Sequence, residues 1–296
     1  LSLFAMAVLA TMLAPTDAAL GKAVVTNEAV PDDIRQGLNV ESGLNDGICV
    51  PVLLVFLALA LGHAGEEGPW TLAAKLVIEE IGIGLAVGLV LTYFAVRLFR
   101  VARHRQWLTQ TWIQLPIAAL ALTCFSVAQS LGGSGFIAAF SGGILAGIMG
   151  TGLTRETHDD FLRASEGIGD TLALITWVIF GTAVVGQSLD SFSWEVVVYA
   201  LLSLTLIRML PVFLVLRGMK LSTDEKLFMG WFGPRGLASI VFTVMMLEAH
   251  LPGARTIALA ASCTIILSVL AHGLSAKPLT ALLVRRLGPG GAEVER

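Results

Sequence analysis

The sequence predicts an all-α bundle that crosses a membrane about nine times, with two broken crossings related by inverted topology. Three observations carry that expectation. Of the 296 residues 55% are hydrophobic and 14% charged, with a mean hydropathy of +0.81, whereas a chain facing water all round carries about 25% charged residues. The apolar residues run on without interruption, where a transmembrane barrel would alternate them with polar ones. Two of the runs are interrupted by proline and charge, which is tolerated at membrane depth only where protein or a water-filled cavity satisfies the freed backbone groups. Secreted disulfide scaffolds, nucleic-acid binders and ordinary soluble enzymes are thereby excluded. The net charge of −3 gives no sign of a polyanionic partner, which leaves lipid, a small solute or a second copy of the chain. Cys49, Cys124 and Cys263 lie in apolar runs without a CxxC pair and are expected to be packing residues.

At about 20 residues per crossing, the runs fall near residues 2–25, 42–62, 72–96, 110–131, 134–150, 168–186, 195–216, 226–247 and 256–284. The first opens at Leu1 with no basic stretch before it, unlike a cleaved signal, so the sequence is expected to begin inside a longer protein. It is apolar through Leu13 and then breaks at Pro15-Thr16-Asp17. The second opens on Glu41-Ser42-Gly43-Leu44-Asn45-Asp46. The third carries Glu79 and Glu80 in its outer half and Gly84-xxx-Gly88; with Gly143-xxx-Gly147 of the fifth, this is a small-residue face suited to close helix packing. The sixth opens near Asp170, and the seventh holds Arg208 within Leu204–Leu210. The eighth contains Gly233-Pro234-Arg235-Gly236 in its cytoplasmic half.

Lysine and arginine alternate between rich and poor gaps. The rich ones hold Lys22 and Arg35; Arg97, Arg100, Arg103 and Arg105; Arg155 and Arg163; Arg217, Lys220 and Lys226; and Lys277, Arg285 and Arg286, against Lys75 and Arg255 in the others. The positive-inside rule makes the rich gaps cytoplasmic, with Leu1 outside and Arg296 inside. The two breaks are seven spans apart, so they run through the bilayer in opposite directions. Paired broken helices of that kind are the sequence pointer to a secondary transporter with its site near the midplane.

A charge at the bilayer centre costs at least about 2.5–3.5 kcal/mol and demands a reason. At helical spacing Ser42 and Asp46 share one face of the second span, and Glu41 and Asn45 the neighbouring one. Asp46 and Ser42 offer hard oxygen ligands for an alkali cation, and Asp17, the Thr16 hydroxyl and carbonyls freed by the first break can complete a shell. Burial penalises the charged form of a carboxylate, so Asp46 can take a proton or a cation, never both, which is the minimal chemistry of exchange. Capping of the second span is the competing reading of Ser42, Asn45 and Asp46. Arg208 needs an anion, and Glu41 is the partner that leaves Asp46 free; snorkelling to the interface is the alternative. Arg235 supplies fixed positive charge at the second break. Lys22 is expected to snorkel, and Glu79, Glu80 and Asp170 to be interfacial. His63, His104, His158, His250 and His272 stand at span ends without ligand spacing, so no metal beyond a transported cation and no cofactor is expected.

These motifs together resemble the monovalent cation/proton antiporters of the sodium/hydrogen exchanger family. Pro15-Thr16-Asp17-Ala18 resembles the family's Thr-Asp motif, and Val30-Pro31-Asp32-Asp33-Ile34-Arg35 with Glu41 to Gly47 its VP…R…ESLLND signature. Leu206-Ile207-Arg208, Gly233-Pro234-Arg235-Gly236 and Gly135-Phe136-Ile137-Ala138 are similar to its arginine helix, its later G-x-R-G break and its G-F-x-A span. Gly43 replaces a bulky apolar residue of the family, and Pro234 interrupts the G-x-R-G run.

The resemblance implies an inverted-repeat antiporter fold with an elevator-like core and a dimerisation scaffold. The core would comprise 1–96 and 194–286, the linker and scaffold 97–193, and a cytoplasmic tail 287–296. About three family spans before the first break are absent, which marks the sequence as a partial one. The resemblance makes Asp46 the carboxylate that carries cation and proton, with Asp17, Thr16 and Ser42 as co-ligands and Asn45 supporting the crossed helices. It also implies a Glu41–Arg208 ion pair, electroneutral exchange because Asn45 is neutral, a homodimer, and residence in a bacterial inner membrane. Na⁺, K⁺ or Li⁺ with H⁺ are the implied solutes. Two other readings stand beside it: an intramembrane aspartyl enzyme using Asp17 and Asp46, and a truncated relative that does not transport.

Overall fold

The protein is described by a computed structural model over residues 1–17, 19–62, 68–107, 115–150 and 155–287. Ala18, His63 and the tail from residue 288 onward lie outside the described residues. Within them the chain folds only into helices, joined by turns and short irregular segments.

Five helical stretches are long and apolar enough to cross a membrane: Asp32–Ala60, Ile78–His104, Gly167–Val185, Trp194–Gly218 and Ala254–Leu287. Four shorter apolar helices, Leu3–Met12, Pro116–Ser130, Gly135–Met149 and Leu237–Glu248, occupy the other expected runs. Two of these are short because a break cuts the run. The first run becomes α1 (Leu3–Met12) and a single turn, α2 (Lys22–Val25), around Pro15-Thr16-Asp17. The eighth becomes α11 (Thr223–Trp231) and α12 (Leu237–Glu248) around Gly233–Gly236.

Three boundaries differ from the sequence expectation; the sixth span's helix, Arg155–Ile179, takes in the residues from 155 to 167 that were expected as a gap, and the other two have their cause in charges at a helix end. The second span starts ten residues early, as α3 (Asp32–Ala60), because Asp32 and Asp33 place acidic side chains in its first turn, where the helix dipole favours them. Arg35 therefore lies on a helix, not in a gap. The third, α4 (Pro69–His104), likewise runs on through Arg97, Arg100 and Arg103 to end in basic residues that suit a helix C-terminus.

The described residues divide into two compact units. The unit of residues 50–178 holds the end of α3, then α4, α5 (Leu115–Ser130), α6 (Gly135–Gly150) and α7 (Arg155–Ile179), of which α4, α5 and α6 pack pairwise. A Cβ on Gly84 would lie 2.7 Å from the Ser134 carbonyl oxygen, and one on Gly88 2.3 Å from that of Ala138. The Gly84-xxx-Gly88 ridge thus lets α4 approach α6 backbone to backbone. Gly143 and Gly147 have no such neighbour among the described residues, so that expected packing face is not used there.

The unit of residues 1–49 and 179–296 holds α1, α2, the start of α3, and everything after α7. After the three-residue α8 (Gly186–Ser188), α9 (Trp194–Leu202) passes through a π-helical stretch, Ser203–Ile207, into α10 (Arg208–Val215). The break-bearing segments pack on α13 (Ala254–Leu287), which contacts α1, α2, α9, α11 and α12. Val24, Val30, Ile34 and Leu38 bury themselves against Phe228, Phe232, Ala276 and Leu283. This cluster fixes the opening of α3 beside the second break.

Candidate functional site

The two breaks meet, and each supplies what the other lacks. A helix end leaves backbone carbonyls or N–H groups without partners, and a break in mid-span creates both kinds. Asp17 follows the carbonyl end of α1. Its Oδ1 accepts the N–H groups of Ala19 at 2.8 Å and Leu20 at 3.3 Å, and its Oδ2 accepts that of Leu237 at 3.0 Å, the first residue of α12. The Asp17 amide in turn donates to the Pro234 carbonyl at 2.8 Å. A negative side chain therefore sits at the N-terminus of α12, where the helix dipole favours it.

Arg235 makes the reciprocal connection. It is 4% exposed, and its Nη1 donates to the Ala14 and Pro15 carbonyls at 3.1 and 3.2 Å, the groups freed at the end of α1. Its backbone N–H donates to Ser268 Oγ on α13 at 2.7 Å. Arg235 thus meets the carbonyl end of the first break while Asp17 meets the amide end of the second. The reading of Arg235 as fixed charge at its own break becomes more specific, because the carbonyls it serves belong to the other one.

Gly236 and Gly233 make this approach possible. A Cβ on Gly236 would sit 1.8 Å from Asp17 Oδ2, and one on Gly233 2.4 Å from Arg208 Nε. No other residue type fits at either place without displacing a charged group.

The ridges of α3 face this crossing. Ser42 is buried, and its Oγ donates to the Thr16 carbonyl, so α3 is tied to the first break. Thr16 is buried as well, and its Oγ1 has no hydrogen-bond partner among the described residues. Glu41 forms a two-pronged ion pair with Arg208: Nη1 donates to Oε1, and Nη2 to Oε2 at 2.8 Å. Arg208 is 9% exposed and leaves the π-helical stretch directly before α10, an irregularity frequent at functional positions. Asn45 Nδ2 stands 3.5 Å from Glu41 Oε1, a long contact on the neighbouring ridge. Asp46, one turn beyond Ser42, is exposed and lies within electrostatic reach of Asp17. A small cleft lined by Thr16, Asp17, Ser42, Leu38, Phe232 and Pro234 opens at the crossing.

The structure therefore brings Thr16, Asp17 and Ser42 together at the cleft, with Glu41, Asn45, Arg208 and Arg235 around it and Asp46 one turn of α3 beyond Ser42. Glu79 and Asp170 are exposed, and Lys22 is exposed near α2. Sequence reasoning misplaced one residue: His272 was expected at a span end, but it is 3% exposed in the middle of α13, against the start of the second break. Ser268, His272 and Ser275 recur at i, i+4 and i+7 in an apolar run, a polar stripe that could have revealed it.

The chain resembles known proteins over most of its length. The family model described as the transmembrane sodium/hydrogen exchanger matches residues 1–282. A K(+)/H(+) antiporter NhaP2 of Shewanella oneidensis is 24% identical over 282 residues, which is 95% of this chain and 48% of that protein. Na(+)/H(+) antiporter 2 of Zygosaccharomyces rouxii is 26% identical over 256 residues, covering 81% of this chain and 31% of its own length. The chain thus spans about half the length, or less, of the curated relatives it matches. Among solved structures, the sodium proton antiporter MjNhaP1 of Methanocaldococcus jannaschii matches with a TM-score of 0.73 at 22% identity, over 94% of this chain and 70% of that one. It shares the fold.

Proposed function

The chain belongs to the sodium/hydrogen exchanger family of integral membrane proteins, and from that premise we propose that it exchanges an alkali cation, Na⁺ or K⁺, for H⁺ by alternating access. The observation that carries the proposal is the crossing of two broken helices, neutralised by Asp17 and Arg235, beside a buried Thr16 hydroxyl that has no hydrogen-bond partner among the described residues, with the Asp46 carboxylate one turn of α3 beyond Ser42. Unwound backbone at a charge-compensated crossing is how a membrane protein offers oxygen ligands to an ion without leaving unsatisfied dipoles.

In this reading Asp46 binds either the proton or the cation. Thr16 Oγ1 and backbone oxygens of the first break complete the cation's shell, while Ser42 holds the first break against α3. Asp17 contributes negative charge, and its remaining lone pairs are open to the ion. Asn45 adds no charge, which favours one-for-one, electroneutral exchange. The Glu41–Arg208 pair stays fixed through the cycle and holds α3 against the second break. An acid/base dyad of Asp17 and Asp46, as an aspartyl enzyme requires, is disfavoured because Asp17 already accepts three backbone N–H groups.

The core role of 1–96 and 194–286, the scaffold role of 97–193, a homodimer, a bacterial inner membrane and a cytoplasmic C-terminus belong to the same proposal. Proton movement in proteoliposomes under an imposed pH gradient tests it, with Na⁺ and then K⁺ added, for the wild type and Asp46→Asn. Dissipation by either cation that vanishes in the variant is the expected result. Silence of the full-length wild type toward both cations overturns the antiport reading.

A further inference from the structure

The second break is gripped at both of its ends by one stripe of α13. On the near side, His272 Nε2 lies 2.8 Å from the carbonyl oxygen of Trp231, the last residue of α11. A carbonyl only accepts, so this ring nitrogen carries the hydrogen. On the far side, the Arg235 N–H donates to Ser268 Oγ at 2.7 Å. The two grips are joined, because the Ser268 hydroxyl donates to His272 Nδ1 at 3.1 Å; with the hydrogen on Nε2, the Ser268 carbonyl oxygen, which also only accepts, makes no hydrogen bond to Nδ1. The stripe continues to Ser275, whose Oγ accepts the Trp231 indole N–H at 2.9 Å. The imidazole also packs near the Trp231 and Phe232 rings, with centroids 5.1 and 6.2 Å away.

What the ion site takes from the second break lies between those two grips or directly beyond the second. Gly233 N–H donates to the same Trp231 carbonyl at 2.8 Å, which turns the chain so that Gly233 backs onto the Arg208 guanidinium. Pro234 presents its carbonyl to the Asp17 amide, and the next residues present Arg235 to the first break and the Leu237 N–H to Asp17 Oδ2. Gly233 and Pro234, outside any regular hydrogen-bond ladder, depend for their path on the Trp231 carbonyl and the Arg235 amide being held. Buried networks of this kind fix one geometry when every member is satisfied.

We infer that His272, with Ser268, is a positioning residue for cation binding, which clamps the second break so that Asp17 and Arg235 are held in register with the first. The inference rests on the antiport reading above. His272 itself touches neither the ion nor Asp46.

The test measures half-saturating cation concentration and maximal rate in proteoliposomes, together with cation-dependent thermal stabilisation of the detergent-solubilised full-length protein. His272→Phe keeps the ring but removes both nitrogen contacts. It is expected to raise the half-saturating concentration and the apparent dissociation constant about three- to tenfold, what one net hydrogen bond is worth, with maximal rate per folded protein held within about twofold. His272→Gln keeps an amide donor for the Trp231 carbonyl and is expected to restore wild-type affinity. A residue needed only for folding would lower yield and rate and leave affinity unchanged. If His272→Phe does not fold, Ser268→Ala carries the test, since it deletes the acceptor of the Arg235 amide and keeps the imidazole; weakened affinity is again expected. Unaltered affinity in His272→Phe or in Ser268→Ala, or a His272→Gln protein as impaired as His272→Phe, overturns the inference while the wild-type response stands. A wild type unresponsive to both cations in both assays overturns it together with the antiport reading.

Discussion

Two aspartates in one small region divide the work of the site, and their surroundings tell them apart. Asp17 accepts three backbone N–H groups, two from the turn before α2 and one from the start of α12, whereas Asp46 makes no side-chain hydrogen bond among the described residues. Asp17→Asn turns an amide NH₂ toward donors and loses charge-assisted bonds worth about 1.5–3 kcal/mol each, so a clear fall in melting temperature is expected along with lost transport. Asp46→Asn is expected to abolish exchange with stability within about 0.5 kcal/mol of wild type. Thermal melts beside transport assays separate the two, and equal destabilisation by both would contradict this division. Gly236→Ala belongs to the same argument: its methyl group would occupy the place of Asp17 Oδ2, so transport is expected to fail as it does for Asp17→Asn. The Glu41–Arg208 pairing was legible from the sequence because a buried arginine demands an anion, Glu41 is the one that leaves Asp46 free, and the family resemblance implies the same pair. The capping role of Asp17 was not, since spacing shows which side chains share a face and not which distant amides a loop will meet.

Element by element, what could be inferred from sequence follows from how local the cause is. The long apolar runs and both breaks were visible, because span length and the Pro-Thr-Asp and Gly-Pro-Arg-Gly interruptions are properties of contiguous sequence. The early start of α3 was missed because Val30, Ile34 and Leu38 are apolar for the sake of α11 and α13, partners that no local pattern reveals. The same holds for His272, whose partners are Trp231 and Arg235's neighbour Ser268. Gly84 and Gly88 were read correctly as a packing face, and Gly143 and Gly147 have no partner within reach among the described residues: a small-residue repeat permits close approach without requiring it. Gly88→Leu should therefore separate α4 from α6 and lower thermal stability by about 1–3 kcal/mol, the usual cost of overpacking. Gly147→Leu should be near neutral. Melting curves of the two variants check this, and equal effects would refute the assignment of the packing face.

At the scale of the whole molecule, orientation is the property that sequence charge decides and a fold alone does not. Every lysine- or arginine-rich turn falls on one side if the chain alternates across the bilayer, and the positive-inside rule makes that side cytoplasmic. The eighth span gives the sharpest test. Lys220 lies just before α11 and Pro252 just after α12, both exposed, at opposite ends of the expected eighth crossing. The native thiols give little background, because Cys49, Cys124 and Cys263 are all buried. In right-side-out vesicles, a membrane-impermeant thiol reagent added outside should label Pro252→Cys and spare Lys220→Cys until the membrane is permeabilised. The reverse pattern would place the second break in the outer half of the bilayer, invert the proposed access of Asp46, and require the basic turns to face outward. Labelling of both from outside would mean that the α11–α12 segment re-enters without crossing. A crossing by α11–α12 in either direction is what two breaks that run through the bilayer in opposite directions require, and the expected pattern alone also puts the basic turns on the cytoplasmic side.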